Sequence, residues 1–145
     1  MKRVPPWLIF LPVLGAAAAL RLSGLVPAGA VHPVLQGIAG VLAVLSIGLG
    51  IWSVQALLRF DGQAPVSFGP FRFSRHPMYL AMFGVLAATG LVTSEWVLLG
   101  ALPVLVVLVD RLVVGPEEAE LRKVFGEAYE RYAQRVWRWL GTTST

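Results

Sequence analysis

Long apolar runs, broken only by short polar connections, constrain this chain more than any other feature. They lie at about residues 7–20, 34–58, 77–92 and 96–114, and apart from Asp110 and Arg111 they carry no charge. A helix needs roughly 20 apolar residues to cross the hydrocarbon core of a bilayer. Lipid offers the backbone no hydrogen bonds, so such runs must satisfy their own peptide groups as helices. The sequence therefore predicts an all-α integral membrane bundle of about four transmembrane helices. Composition agrees, with 57% hydrophobic and only 14% charged residues in 145; a soluble domain carries nearer a quarter charged. That length predicts a single domain over residues 1–145.

Composition also excludes functions. The chain has no cysteine, which removes disulfides, thiolate catalysis, Cys-based zinc sites and thiol lipidation. The two histidines, His32 and His76, fall on different segments, so no metal site is expected. The net charge of +4 does not point to nucleic acid, because the basic residues flank apolar runs. They fit orientation in a membrane and contact with anionic headgroups instead.

Lys2 and Arg3 precede the first run, and the Ala16–Ala19 cluster also resembles a signal peptide; the apolar character of the rest favours a retained span. The second run is rich in small residues (Gly37, Gly40, Ser46, Gly48, Gly50), which let helices approach closely in lipid and would support a homodimer. Residues 59–76, "RFDGQAPVSFGPFRFSRH", contain two glycines and two prolines and read as a long loop with aromatics at Phe68, Phe71 and Phe73. Thr93–Glu95 reads as a tight turn with Thr93 or Ser94 as N-cap, and Pro103 as a kink in the fourth run. From Pro116 the pattern changes. Apolar or aromatic residues at 121, 124, 125, 128, 129, 132, 136 and 139 predict an amphipathic helix over about 116–140, with Pro116 at its start and Trp137 and Trp139 at the lipid interface.

Four spans with both termini on one side would gather every Lys and Arg on that side, with Arg21 the exception. By the positive-inside rule this predicts cytoplasmic termini and a cytoplasmic 59–76 loop. Two polar segments then share a face. In one, Arg75 and His76 stand before Pro77, at the mouth of a helix whose unpaired N–H groups and positive dipole end favour a carboxylate or phosphate. In the other, Glu117 and Glu118 supply the opposite sign. A zwitterionic ligand would satisfy both, and the Phe-rich loop would cover a flat base. Each feature has a plainer reading: Arg75 as a boundary charge, the Glu pair as a helix cap, Tyr79 as an interfacial aromatic, Asp110 and Arg111 as a pair at the end of a span.

"GPFRFSRHPMYLAMFG" followed by "PEEAELRKVFGEAYERYAQRV" resembles the isoprenylcysteine carboxyl methyltransferase family, whose superfamily includes the phospholipid N-methyltransferases. The hallmarks are Arg-His-Pro-x-Tyr opening a span, a Glu-Glu pair, and Phe-Gly-x-x-Tyr-x-x-Tyr (here Phe125, Gly126, Tyr129 and Tyr132). The likeness covers about residues 52–137. It implies a membrane methyltransferase using S-adenosylmethionine (SAM), with cofactor contacts at Gln63, Ala64, Pro65, Val66, Phe71, His76, Pro77, Met78, Tyr79 and Glu118, and at Gln55 on the preceding span. Eukaryotic carboxyl methyltransferases of this family carry a substrate-contacting Arg before the Glu cluster. Here Val113 stands at that position, and Arg111 is the candidate in its place.

The expected activity is methyl transfer to a lipophilic or small acceptor at the cytoplasmic membrane face. A carboxylate acceptor needs no base, whereas an amine or thiol must lose a proton, with Glu117 or Glu118 nearest and Arg75 supplying charge. Two other readings stay open: a non-catalytic lipid-binding subunit and a sterol-reductase-like NADPH enzyme.

Overall fold

The structure, a computed structural model, describes residues 32–143 and isolated positions (12, 15, 16, 19 and 22–24) before them. The first run therefore lies almost wholly outside the described residues. The remainder is helical: α1 (Pro33–Leu58), a 3-10 turn (Gly69–Arg72), α2 (Pro77–Thr93), α3 (Trp96–Val109), a wide π turn (Asp110–Val114), α4 (Gly115–Phe125) and α5 (Glu127–Arg135). No strand is present among the described residues; one isolated bridge pairs Val136 with Thr142. Among the described residues, two helical stretches are long and apolar enough to cross a membrane, α1 and the continuous Trp96–Phe125. At 17 residues α2 is a shorter apolar helix.

Burial on α1 is the reverse of that on a water-soluble helix. Its buried residues are small (Ala39, Ser46, Ser53, Ala56), while Val34, Val44, Leu45 and Leu58 face outwards. Small inward residues let α1 and α2 approach closely, as helices do in lipid. The approach is tightest at Gly84, where an added Cβ would collide with the Ser46 side chain. Gly37, Gly40 and Gly48 meet nothing within 4 Å. On the other side of α2, Phe83 and Leu86 pack with Leu98, Leu105, Val109, Val113 and Val114 to form the main core.

Three expectations are corrected. Neither Thr93 nor Ser94 caps α3 at its N-terminus: Ser94 ends α2 in the left-handed region (φ 53), and the residue before α3 is Glu95. Pro116 does not begin a separate helix, because α3 runs into α4 through the π turn. Inside a helix, a proline ring collides with the carbonyl four residues back, here Leu112, and widening the turn around that carbonyl relieves the collision. Nor does one helix cover 116–140. Gly126 adopts φ 52, ψ −127, a conformation suited to glycine, and breaks it into α4 and α5.

The helix also ends at Arg135 rather than near 140, and the chain returns as an extended strap. The strap clamps the residues before His76. Arg75 N–H donates to Trp137 O (3.1 Å), Gly141 N–H to Phe73 O (2.8 Å), and Ser74 Oγ to Arg138 O (3.4 Å). Trp139, half-buried, packs against Phe83 (ring centroids 5.7 Å) and His76 (6.4 Å).

Candidate functional site

The start of α2, the 59–76 loop, α4 and α5 enclose a cavity of about 270 Å³. Of the residues singled out in the sequence, Pro65, Val66, Phe71, Arg75, His76, Pro77, Met78, Tyr79 and Glu117 line it. Gln63 and Ala64 are exposed beside it, with Gln63 N–H donating to Asp61 Oδ1 (3.1 Å) in a local turn. Gln55 is exposed on α1 and does not line it, and Arg111 lies in a different pocket. Phe68 and Phe73 point outwards, so Phe71 alone of the three loop aromatics faces the cavity.

The two glutamates, adjacent in sequence, face different surroundings. Glu117 lines the cavity with its side chain 39% exposed, and its Oε2 accepts from the Tyr79 hydroxyl (3.2 Å). Glu118 is fully buried and does not line it. Arg138 donates to Glu118 through Nε (3.2 Å to Oε1) and Nη2 (2.8 Å to Oε2), His76 Nε2 stands 3.2 Å from Oε1, and Arg75 Nη1 stands 3.4 Å from Oε1. Arg138 Nη1 reaches on to both Asp110 oxygens at 3.2 Å. This network, centred on the buried Glu118, joins the strap, α4, the π turn and the mouth of α2. Hydrogen bonding to Glu118 and the charges of Glu118 and Asp110 raise the pKa of Arg138 against the opposing effect of burial. An ionised carboxylate only accepts, so His76 Nε2 is the donor to Glu118, while Nδ1 is turned towards Glu117 (4.0 Å to Oε2).

Tyr129, Tyr132 and Arg138 are site residues that the sequence reading did not select. The two tyrosines stand in the Phe-Gly-x-x-Tyr-x-x-Tyr motif. Their placement depends on the break at Gly126, after which α5 turns both rings under the loop, where Tyr132 Oη donates to Phe71 O (2.8 Å). Burial and the Glu118 charge push the Tyr129 phenol up to about 12, and burial raises Tyr132 further. Arg75 acts against that rise as a neighbouring donor and positive charge, yet neither Tyr129 Oη nor Arg75 Nε completes a hydrogen bond of good geometry among the described residues. Arg138 had no local signal, since a basic residue near a helix end also fits membrane orientation.

These polar atoms suit an amphoteric ligand. Arg75 and the start of α2 offer positive charge and donors, Glu117 offers a negative charge, and Phe60, Phe71, Leu121 and Phe125 offer apolar walls. The buried, unpartnered Tyr129 hydroxyl is an orphan that a bound ligand would satisfy. No group of His, Asp and Glu able to hold a metal ion occurs among the described residues.

A family model described as phospholipid methyltransferase matches residues 26–128, and that family lies in the same superfamily as the isoprenylcysteine carboxyl methyltransferases. No curated protein and no solved structure matches the chain.

Proposed function

The chain belongs to the phospholipid methyltransferase family, and from that premise we propose that it transfers a methyl group from SAM, held in the cavity between His76, Tyr79, Glu117 and Tyr129, to a lipophilic acceptor. One observation carries the proposal. The Arg-His-Pro-x-Tyr segment and the Glu pair, with His76 and Glu118 42 residues apart, meet at a cavity bordered by two buried polar atoms that lack partners. The family match favours methyl transfer over the lipid-binding and reductase readings.

SAM supplies an activated methyl group on a sulfonium, and the protein supplies position and electrostatics. Arg75 and the first turn of α2 hold a carboxylate, and Glu117, oriented by the Tyr79 hydroxyl, holds a cationic group. Phe71, Phe60 and Phe125 accept the aromatic base. The sequence reading gave Glu118 a direct cofactor contact; its burial favours a positioning role, fixing His76 and Arg75. For an amine or thiol acceptor, Glu117 takes the proton, since it is the carboxylate that lines the cavity. The acceptor's apolar part enters from the lipid side. A groove of about 360 Å³ between α1 and α2 is lined by Met78 and Met82, which also line the cavity. Full activity on an acceptor with no apolar moiety would rule out that route.

The same reading places the first run and α2 as spans beside α1 and α3, with both termini and the 59–76 loop in the cytoplasm, on the support of the basic-residue distribution. Because the chain has no cysteine, Ser67→Cys and Ser23→Cys test this directly. In intact cells an impermeant thiol reagent should label position 23 and spare 67; the opposite pattern would reverse the topology.

Calorimetry of SAM binding to detergent-purified protein is the central experiment. We expect micromolar-range binding that His76→Ala abolishes and Glu117→Gln weakens while the fold survives. No binding by folded wild type, in detergent and again in lipid, would overturn the proposal.

A further inference from the structure

A second pocket, of about 490 Å³, lies on the far side of the ion network. Arg75, Asp110, Arg111, Arg138 and Trp139 line it, with Val106 and Val107 of α3. It shares only Arg75 with the methyl-transfer cavity. Trp139 lines this pocket and His76 lines the cavity, and their rings pack against each other between the two.

The charge in this pocket is unbalanced. Both Asp110 oxygens are taken by Arg138, which is itself shared with Glu118. Arg111 is exposed and makes no ion pair among the described residues. Arg75 also lines the pocket, with its Nη1 3.4 Å from Glu118 Oε1. Three guanidiniums therefore face one carboxylate whose oxygens are already occupied, with Glu118 behind. That arrangement favours an anion, and guanidiniums match phosphate oxygens well. Position then selects the kind of anion. Val104, Val107 and Leu108 are exposed on α3, and with Arg111 they follow helical i, i+3, i+4, i+7 spacing. A bare apolar stripe of roughly 10 Å thus ends at the unpaired guanidinium. A small inorganic anion would leave that stripe unused, whereas an acyl chain would cover it.

We infer that this pocket holds the phosphate headgroup of an anionic membrane lipid whose chains lie along α3, at a site separate from the cavity where methyl transfer is placed. Basic pockets at the ends of membrane helices bind anionic headgroups by this chemistry.

The test uses the full chain reconstituted in phosphatidylcholine nanodiscs containing phosphatidylglycerol, with retained lipid read by native mass spectrometry. Wild type should retain phosphatidylglycerol in preference to phosphatidylcholine. Arg111→Glu should lower that retention about tenfold, and Arg111→Lys should keep most of it, since the charge survives. Arg111 is exposed, so both variants should melt with wild type; if Arg111→Glu does not fold, Arg111→Gln replaces it. Calorimetry of the Arg111→Glu variant should give SAM affinity within about twofold of wild type, which keeps this site's failure distinct from failure of the cofactor proposal. Two results would overturn the inference: equal retention of both lipids by wild type, or phosphatidylglycerol retention unchanged by Arg111→Glu. A third, displacement of the lipid by millimolar inorganic phosphate alone, would mean that the site reads a free anion and not a lipid.

Discussion

On one side of His76 lies a cavity with apolar walls and few polar groups, two of them without partners. On the other lies a network centred on the buried Glu118, which holds Arg138, Arg75 and the imidazole itself, with Arg138 reaching on to Asp110. The two regions are reached from adjacent residues, Glu117 and Glu118, and they place opposite demands on a carboxylate. A group that is to meet a ligand must stay partly exposed and partly unsatisfied. A group that fixes geometry must be buried and fully paired, because an unpaired charge there is costly. Substitution at the two positions should therefore give different signatures.

Glu118→Ala should have the largest effect. It leaves Arg138, Arg75 and His76 facing an empty carboxylate position, and breaking a buried pair in this way costs about 3–5 kcal/mol. Thermal unfolding in a fixed detergent should show the loss, with cofactor binding lost alongside it. A variant melting with wild type would mean that the network is not structural. Glu117→Gln should split the two properties the other way. Methyl transfer should fall about a hundredfold, the range expected for loss of an acid–base group, while stability stays within about 0.5 kcal/mol of wild type. Equal stability losses at 117 and 118 would remove the distinction between the regions.

The lipid-facing bundle gives a smaller contrast of the same kind. Gly84→Leu forces a side chain against Ser46 between α1 and α2 and should cost about 1–3 kcal/mol. Gly48→Leu meets open space and should stay within about 0.5 kcal/mol of wild type. If Gly48→Leu proves as damaging as Gly84→Leu, that outer face is covered by another chain.

The helices were legible in the sequence because bilayer length and apolar runs leave few alternatives: α1 and α2 begin and end within a residue of expectation. What failed was local. Pro116 carries every mark of a helix start, yet a π turn absorbs it, and no propensity scale encodes a widened turn. The strap was missed because Val136 and Trp139 continue the apolar spacing of α5 beyond the point where the helix ends. That hid Arg138, whose partners at 118 and 110 are set by tertiary packing alone. The Glu pair was visible, but sequence gives no way to tell which of two adjacent glutamates faces a cavity. That depends on the rotation of α4, set by the same π turn.

Tyr129→Phe should have a small effect and the most specific one. The hydroxyl is buried without a partner, so removing it should stabilise the ligand-free protein by about 1 kcal/mol, the lower range for an unsatisfied polar group. The same change should weaken SAM binding about fivefold if that hydroxyl meets the ligand, a loss of about 1 kcal/mol. Its pH signature has a definite sign. The phenol is raised from 10.0 to about 12 in the folded protein, so between those values the unfolded chain loses a proton that the folded one keeps. Wild-type stability is then fully present below pH 10 and falls as pH rises towards 12. The variant should lose less over that interval; Tyr132, shifted in the same direction, retains its own share. A variant that is less stable when ligand-free, with SAM affinity unchanged, would show that Tyr129 belongs to the packing of α5 and not to the cavity.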